Sequence, residues 1–195
     1  MEKYFVVKYT GQFGFIKPWT AVRDSETFSQ QFLTPSIVEG IEKKIFPELL
    51  NEVGIKKIMR HRLSYSQISQ QQEVIQTRGW NSTKRGKQIL FERPKAILVR
   101  GILLEPVLHL VFSSLIDAEI ASKQHICLCR NEDILMPTRV TQLSQHEFDE
   151  DDGSFNGYEL IFEKNESAFQ VGFHRLTKEP MYGWLKIVGT PVNSI

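Results

Sequence analysis

The sequence predicts an α+β domain, and three observations predict it. The first residues, KYFVVKYT, alternate in the period of a half-buried strand. One segment, TPSIVEGIEKKIF, carries both the start signals and the apolar stripe of an amphipathic helix. The last third breaks into short strand-like pieces, YELIFEK, FQVGFHR and WLKIVG, separated by Asn, Gly and Pro. Strands on both sides of isolated helices, without a regular strand–helix alternation, are an α+β succession.

Lys3 to Thr10 is the first strand. GQFGFIKPWTAVRDSETFSQQF follows without a steady period, and long irregular loops in compact domains carry function. Thr34 is the expected N-cap and Pro35 sits at the first helical position, where its missing N–H costs nothing. Ile37, Val38, Ile41, Ile45 and Phe46 then form one stripe, and Pro47 ends or kinks the helix. IKKIMRHRLSYSQI reads as a strand, because Gln, Ser and β-branched residues continue to Thr77 with no helix stop. Ser64–Gln76 and Lys87–Lys95 flank the Gly-bounded stretch RGWNSTKRGK as the two arms of a hairpin. AILVRGILLEPVLHLVFSS is a long buried strand with a bend at Gly101 or Pro106. HICLC is a short strand, and RVTQL leads into the acidic loop SQHEFDEDDGS. The expected division is a core of residues 1–145, with a thumb at 64–95, and a small antiparallel β-unit at 146–195 continuous with that core or packed on it.

The chain has 195 residues and a net charge of only +1, but the charge is segregated. Gly54 to Arg100 holds eleven Lys and Arg against Glu73 and Glu92, a local +9. Asp117 to Glu166 holds twelve acids against four cations, a local −8. A basic zone of this size has the footprint of a polyanion site or is a solvated face. Cys127 and Cys129 are two apart on a strand, poor geometry for a bridge, so a reducing, cytoplasmic setting is expected. No signal-peptide pattern opens the chain, and its longest apolar run is broken by Arg100, Glu105, Pro106 and His109, so no membrane partner is expected. The sequons at Asn81 and Asn165 are then chance matches.

Several chemistries fail on spacing. A phosphate loop needs four residues between its glycines, and six separate Gly79 from Gly86. The acidic run from Asp149 to Asp152 lacks calcium-loop register, with Leu160 at the twelfth position, and reads as a solvated loop. His125, Cys127 and Cys129 have no second ligand pair for structural zinc. No metal, no cofactor and no catalytic residue is therefore assigned. Lys57, His61 and Tyr65 are the strongest set for metal-free acid–base work on a ribose 2′-hydroxyl, which makes a metal-independent endoribonuclease the alternative.

RNA binding has the fuller physical basis. Lys and Arg neutralise phosphates with salt-dependent, sequence-blind affinity. Arg60, Arg62, Arg78, Lys84, Arg85 and Lys87 supply the cations, and Trp80 supplies a ring at the expected hairpin tip. That ring stacks on an RNA base, props the hairpin, or folds back into the core. Thr34 and Ser36 offer hydroxyls and N–H groups to one more phosphate. Lys17, Trp19 and Arg23 extend the surface along the first loop.

The motifs flanking this zone carry a resemblance. GQFGFIKP, with Gly11, Phe13 and Pro18, followed by LTPSIVEGIEKKI, with Thr34, Pro35, Ser36 and Gly40, resembles the opening of the "Cas five" family of CRISPR-associated proteins. LCRNEDILMPTRV resembles that family's Leu-Gly-Arg-Ser-Glu-Asp-Leu segment at Leu128, Arg130, Glu132 and Asp133, with Cys129 and Asn131 replacing the glycine and serine. The resemblance covers about the first 140 residues. It implies a ferredoxin-like (RRM-type, RAMP) core with an inserted β-hairpin thumb, which Ser64–Lys95 would form. It also implies a subunit of a Cascade-like complex that caps the 5′ handle of the guide RNA. Its neighbours there are the backbone and large subunits, with target DNA reached through the complex and no obligate homo-oligomer. One branch of the family cleaves precursor RNA, but its Arg-Arg-Asn-Glu-type segment is not recognisable here.

Overall fold

A computed structural model describes residues 3–20, 25–150, 153–174 and 177–192. In chain order the elements are β1 (Lys3–Thr10), β2 (Phe13–Gly14), β3 (Glu26–Phe28), α1 (Pro35–Ile45), a 3₁₀ turn (Pro47–Leu49) and β4 (Ile58–Ser64). Then come β5 (Gln67–Gln76), β6 (Asn81–Arg85), β7 (Gln88–Glu92), β8 (Lys95–Leu104), β9 (Val107–Phe112) and α2 (Leu115–Ala121). The last are β10 (Ile126–Cys127), β11 (Ile134–Ser144), α3 (Gln145–Asp149), β12 (Gly157–Ile161), β13 (Phe169–Phe173) and β14 (Pro180–Val188). The protein is strand-rich α+β with few helices and mostly antiparallel pairing.

Eight strands form the main sheet, in the order β10-β11-β1-β9-β4-β12-β14-β13. Its central four, β11-β1-β9-β4, are antiparallel throughout. Along the chain they are connected strand, α1, strand, strand, α2, strand. Strand alternation gives the sheet two distinct faces. Val7 and Tyr9 of β1, Leu63 of β4 and Leu108, Leu110 and Phe112 of β9 meet Val38, Ile41 and Ile45 of α1 and Ala118 and Ala121 of α2 in one buried cluster. The Tyr9 hydroxyl donates to the Ala121 carbonyl at 2.8 Å, tying α2 to the sheet, and burial pushes its pKa up. On the other face Tyr4, Val6, Val111 and Leu143 pack under Phe148 of α3 and Phe155.

The helix start falls where expected, with Thr34 at the N-cap and Pro35 inside it, but the Thr34 side chain makes no capping bond. The helix stripe includes one residue that apolar periodicity passes over. Glu42 is fully buried and accepts the backbone N–H groups of Lys56, Lys57 and Ile58, which fixes the chain where it enters β4. A buried carboxylate persists where its oxygens are hydrogen-bonded.

The acidic segment is no plain solvated loop. Ser144 and Glu147 form a reciprocal capping box that starts α3. The expected C-terminal β-unit is continuous with the core, because β12 pairs with β4 at Tyr158 and Leu63 and with β14 along its length. In HICLC, Ile126 and Leu128 enter the core while Cys127 is half-buried and Cys129 exposed.

A second sheet is built on β8, paired with all ten residues of β5 on one side and with β2 and β3 on the other. Glu105, at φ 48°, and Pro106 break the long apolar run, so β8 leaves one sheet and β9 enters the other. The bend thus lies at Pro106 rather than Gly101, which is instead crowded by the Phe28 ring.

A candidate RNA-binding ribbon

The β4–β9 hairpin of the main sheet runs through the corner at Tyr65–Ser66 and Glu105–Pro106 into the β5–β8 ribbon, and then into the smaller β6–β7 hairpin. Ten paired residues span about 33 Å at the rise of a strand. The arms are therefore Gln67–Gln76 and Lys95–Leu104, and the Lys87–Lys95 stretch belongs mostly to the distal hairpin.

Every residue from Arg78 to Glu92 is exposed. The tip is the two-residue turn Gly86–Lys87, with Gly86 at φ 61°, where a side chain would be strained. Trp80 is not at that tip but at the neck between ribbon and distal hairpin. It is 63% exposed, which removes the core-anchor reading, and the Arg93 guanidinium lies 5.4 Å from its ring centre. Arg93 in turn donates from Nε to the Thr77 carbonyl at 3.0 Å, bracing the neck.

The cations do not form one face. Directly paired residues share a side, so Lys84 lies with Ile89 and Arg85 lies with Gln88 on the opposite side. Lys87 stands in the turn, and Arg78 is exposed before the neck. Ile89, Leu90 and Phe91 are 59%, 47% and 66% exposed, apolar surface on both sides of a free-standing ribbon.

Arg60 and Arg62 are not available to phosphates, which corrects the sequence-based expectation. Arg62 is fully buried and donates from Nε to Glu159 at 3.1 Å and from Nη2 to Asp149 at 2.6 Å. Its Nη1 donates to the Phe148 and Phe155 carbonyls, and the guanidinium lies 3.9 Å from the Phe148 ring centre. Arg60 pairs with Glu159 at 2.6 Å and Asp149 at 2.8 Å, and Lys186 adds a bond to Asp149 at 2.9 Å. Burial alone would lower the Arg60 pKa, and its two carboxylate partners reverse that. The segregated charge of the sequence is thus partly an internal match: the acidic segment folds onto the basic one. Of the ribbon's cations, Arg100 pairs with Glu73 at 3.4 Å, while Arg78, Lys84, Arg85 and Lys87 have no carboxylate partner among the described residues.

The remaining expected site residues are dispersed. Lys17 lines a cleft of about 260 Å³ along the outer half of the β5–β8 ribbon with Phe15, Glu73 and Arg100. Trp19 is half exposed and packs edge-on against Phe173 of β13, 6.2 Å between ring centres. Thr34 is buried, and the Ser36 hydroxyl donates to the Met181 sulfur at 3.7 Å, so β14 covers the helix start expected to hold a phosphate. Arg23 lies outside the described residues.

His61 is 3% exposed and stacked on Phe162 at 5.2 Å, and burial lowers its pKa to about 4. Burial pushes Tyr65 up to about 12, and its hydroxyl donates to the Gln31 side chain at 2.6 Å. Lys57 is held by Glu48 and Asp117, both at 2.9 Å. The three candidates for acid–base chemistry are engaged in packing and ion pairs.

The segments GQFGF and LCRNEDI prove to be one contact. A Cβ on Gly11 would meet the Ile134 carbonyl at 2.6 Å, and one on Gly14 would meet the Leu128 side chain at 2.5 Å. Arg130 lies 5.4 Å from the Phe15 ring centre and holds the fully buried Asp133 at 2.7 Å. These residues position the strands beside the ribbon's root. Sequence spacing alone carries no sign of that contact.

Among the described residues no group of His, Cys, Asp and Glu can hold a metal ion, and no helix is long and apolar enough to cross a membrane. No protein-family model matches the chain, and no curated protein matches it.

The buried titratable groups set an acid limit on stability. Burial, then the charges of Lys8 and Arg62, lowers the His109 pKa to about 4, and His61 lies equally low. The unfolded chain binds these protons near pH 6.5, so stability is full above that pH and falls as the pH drops toward 4. Burial would raise the Asp149 carboxyl, but its bonds from Arg60 and Lys186 hold it well below the usual range. Its contribution is then lost as the pH falls below about 4. Thermal melts between pH 8 and pH 3 should show two successive declines. A flat profile would contradict this account.

Proposed function

We propose that the chain is a non-catalytic, RNA-binding subunit of a CRISPR effector complex of the Cascade kind, akin to the "Cas five" family, that holds the 5′ handle of the guide RNA. The observation that carries the reading is the ribbon: an exposed, twice-paired β-extension bearing Arg78, Lys84, Arg85, Lys87 and Trp80. A two-stranded ribbon wet on both faces is marginal by itself, and a partner that covers it completes its stability. RNA phosphates suit its cations, and its exposed Ile89 and Phe91 suit a protein neighbour such as the backbone subunit.

The core supports the same reading. Strand, helix, strand, strand, helix, strand, with spatial order fourth, first, third, second, is the order a ferredoxin-like core would have, and the ribbon extends the hairpin of the second and third strands. The burial of His61 and the ion pairs of Lys57 favour binding over RNA cleavage.

The test is to express the chain with a repeat array and candidate backbone and large subunits, then sequence the RNA it retains. Enrichment of repeat-derived 5′ ends is the expected result, and random cellular RNA or none would overturn the reading. Trp80→Ala should leave the melting temperature nearly unchanged and weaken RNA binding by about 1–3 kcal/mol if the ring stacks on a base. Equal affinity would assign Trp80 to bracing the neck with Arg93.

A further inference from the structure

A cavity of about 510 Å³ opens on the sheet face opposite α1 and α2, among β1, β9, β11 and Phe155. Two cations line it, Lys8 and Arg139, and neither has a carboxylate partner among the described residues. The acids on the same rim are engaged locally. Glu147 accepts the Ser144 N–H at 2.6 Å, and Glu150 meets His146 at 3.0 Å. His109 also lines the cavity. It is 4% exposed, and its Nδ1 has no hydrogen-bond partner among the described residues. An unpaired buried nitrogen is costly, and a ligand that completes it recovers that cost. The Phe155 ring, 5.2 Å from the His109 ring centre, gives the cavity an aromatic wall.

From this geometry we infer that the cavity is a binding site for a nucleoside phosphate, with the phosphate at Lys8 and Arg139 and the base against Phe155 and His109. A bare phosphate would leave most of that volume and its apolar wall unused, while a mononucleotide has both the anionic and the planar apolar part. The inference does not rest on the ribbon, which contributes no residue to the cavity. A free nucleotide and a nucleotide unit of a bound RNA share this chemistry.

The experiment separates these sources. Free AMP and UMP are titrated into the chain by calorimetry, with inorganic phosphate as comparison, and a single-stranded RNA carrying 4-thiouridine is photo-cross-linked and mapped by mass spectrometry. The same is done with Lys8→Gln/Arg139→Gln and with Lys84→Gln/Arg85→Gln/Lys87→Gln, whose substitutions lie outside the cavity. Nucleotide binding that weakens about tenfold or more in the first variant and stays unchanged in the second assigns a free-nucleotide site. A cross-link near His109 or Phe155 that disappears in the first variant, without free-nucleotide binding, assigns an RNA unit. The proposal is overturned by millimolar nucleotide that does not bind and RNA that does not cross-link there, or by binding that the first variant leaves intact. Loss of RNA affinity in the ribbon variant alone would leave the ribbon reading standing without this site.

Discussion

Replacing Arg62 by alanine should destabilise the protein by about 3–5 kcal/mol, the cost of leaving a buried charge pair with one partner missing. Arg62 has no exposed surface and is bonded to Glu159, Asp149 and two backbone carbonyls. Its removal leaves Glu159, itself 1% exposed, to Arg60 alone. It also opens space under Phe148, against which the guanidinium lies. Typical domain stability is about 5–15 kcal/mol, so this one change removes a large share. Arg62→Met, which keeps the stem, separates the lost packing from the lost charge. The measurement is the urea midpoint at neutral pH, and an unshifted midpoint for Arg62→Ala would refute the buried cluster.

The second large effect is on RNA. Lys84→Gln/Arg85→Gln/Lys87→Gln should bind single-stranded RNA weakly, with a salt dependence shallower by about two units of log–log slope. The figure follows from about 0.7 per neutralised phosphate on a single strand, for three cations. All three positions are exposed, so the fold should be unaffected within about 0.5 kcal/mol. Titrations across a salt series decide it. If the slope of the triple variant matches that of the parent, the phosphates are held elsewhere on the molecule.

The two arginine groups looked alike in the sequence. Arg60 and Arg62 sit in the same basic zone as Lys84 and Arg85, with no nearby acid to distinguish them. What separates them is a contact between residues 87 to 99 positions apart, made by α3 and β12. Local patterns carry no information about such pairings. The role of Glu42 is hidden in the sequence for a similar reason: a charged residue inside an apolar stripe is legible only once the N–H groups whose bonds it accepts have been brought to it. Trp80 lies at the neck and not at the tip, because the pairing of Gln67–Gln76 with Lys95–Leu104 moves the turn to Gly86–Lys87.

By itself the sequence determined the α+β class, the strand from Lys3 to Thr10, the helix that starts at Thr34 and Pro35, and the hairpin character of the basic zone. These are features of period, capping and turn chemistry, and such preferences act over a few residues. Only the tertiary structure decided which cations are buried, which face the solvent, and how the sheet faces are covered. Those outcomes depend on strand register and on acids brought from the far end of the chain, and a one-residue slip in register exchanges the two faces.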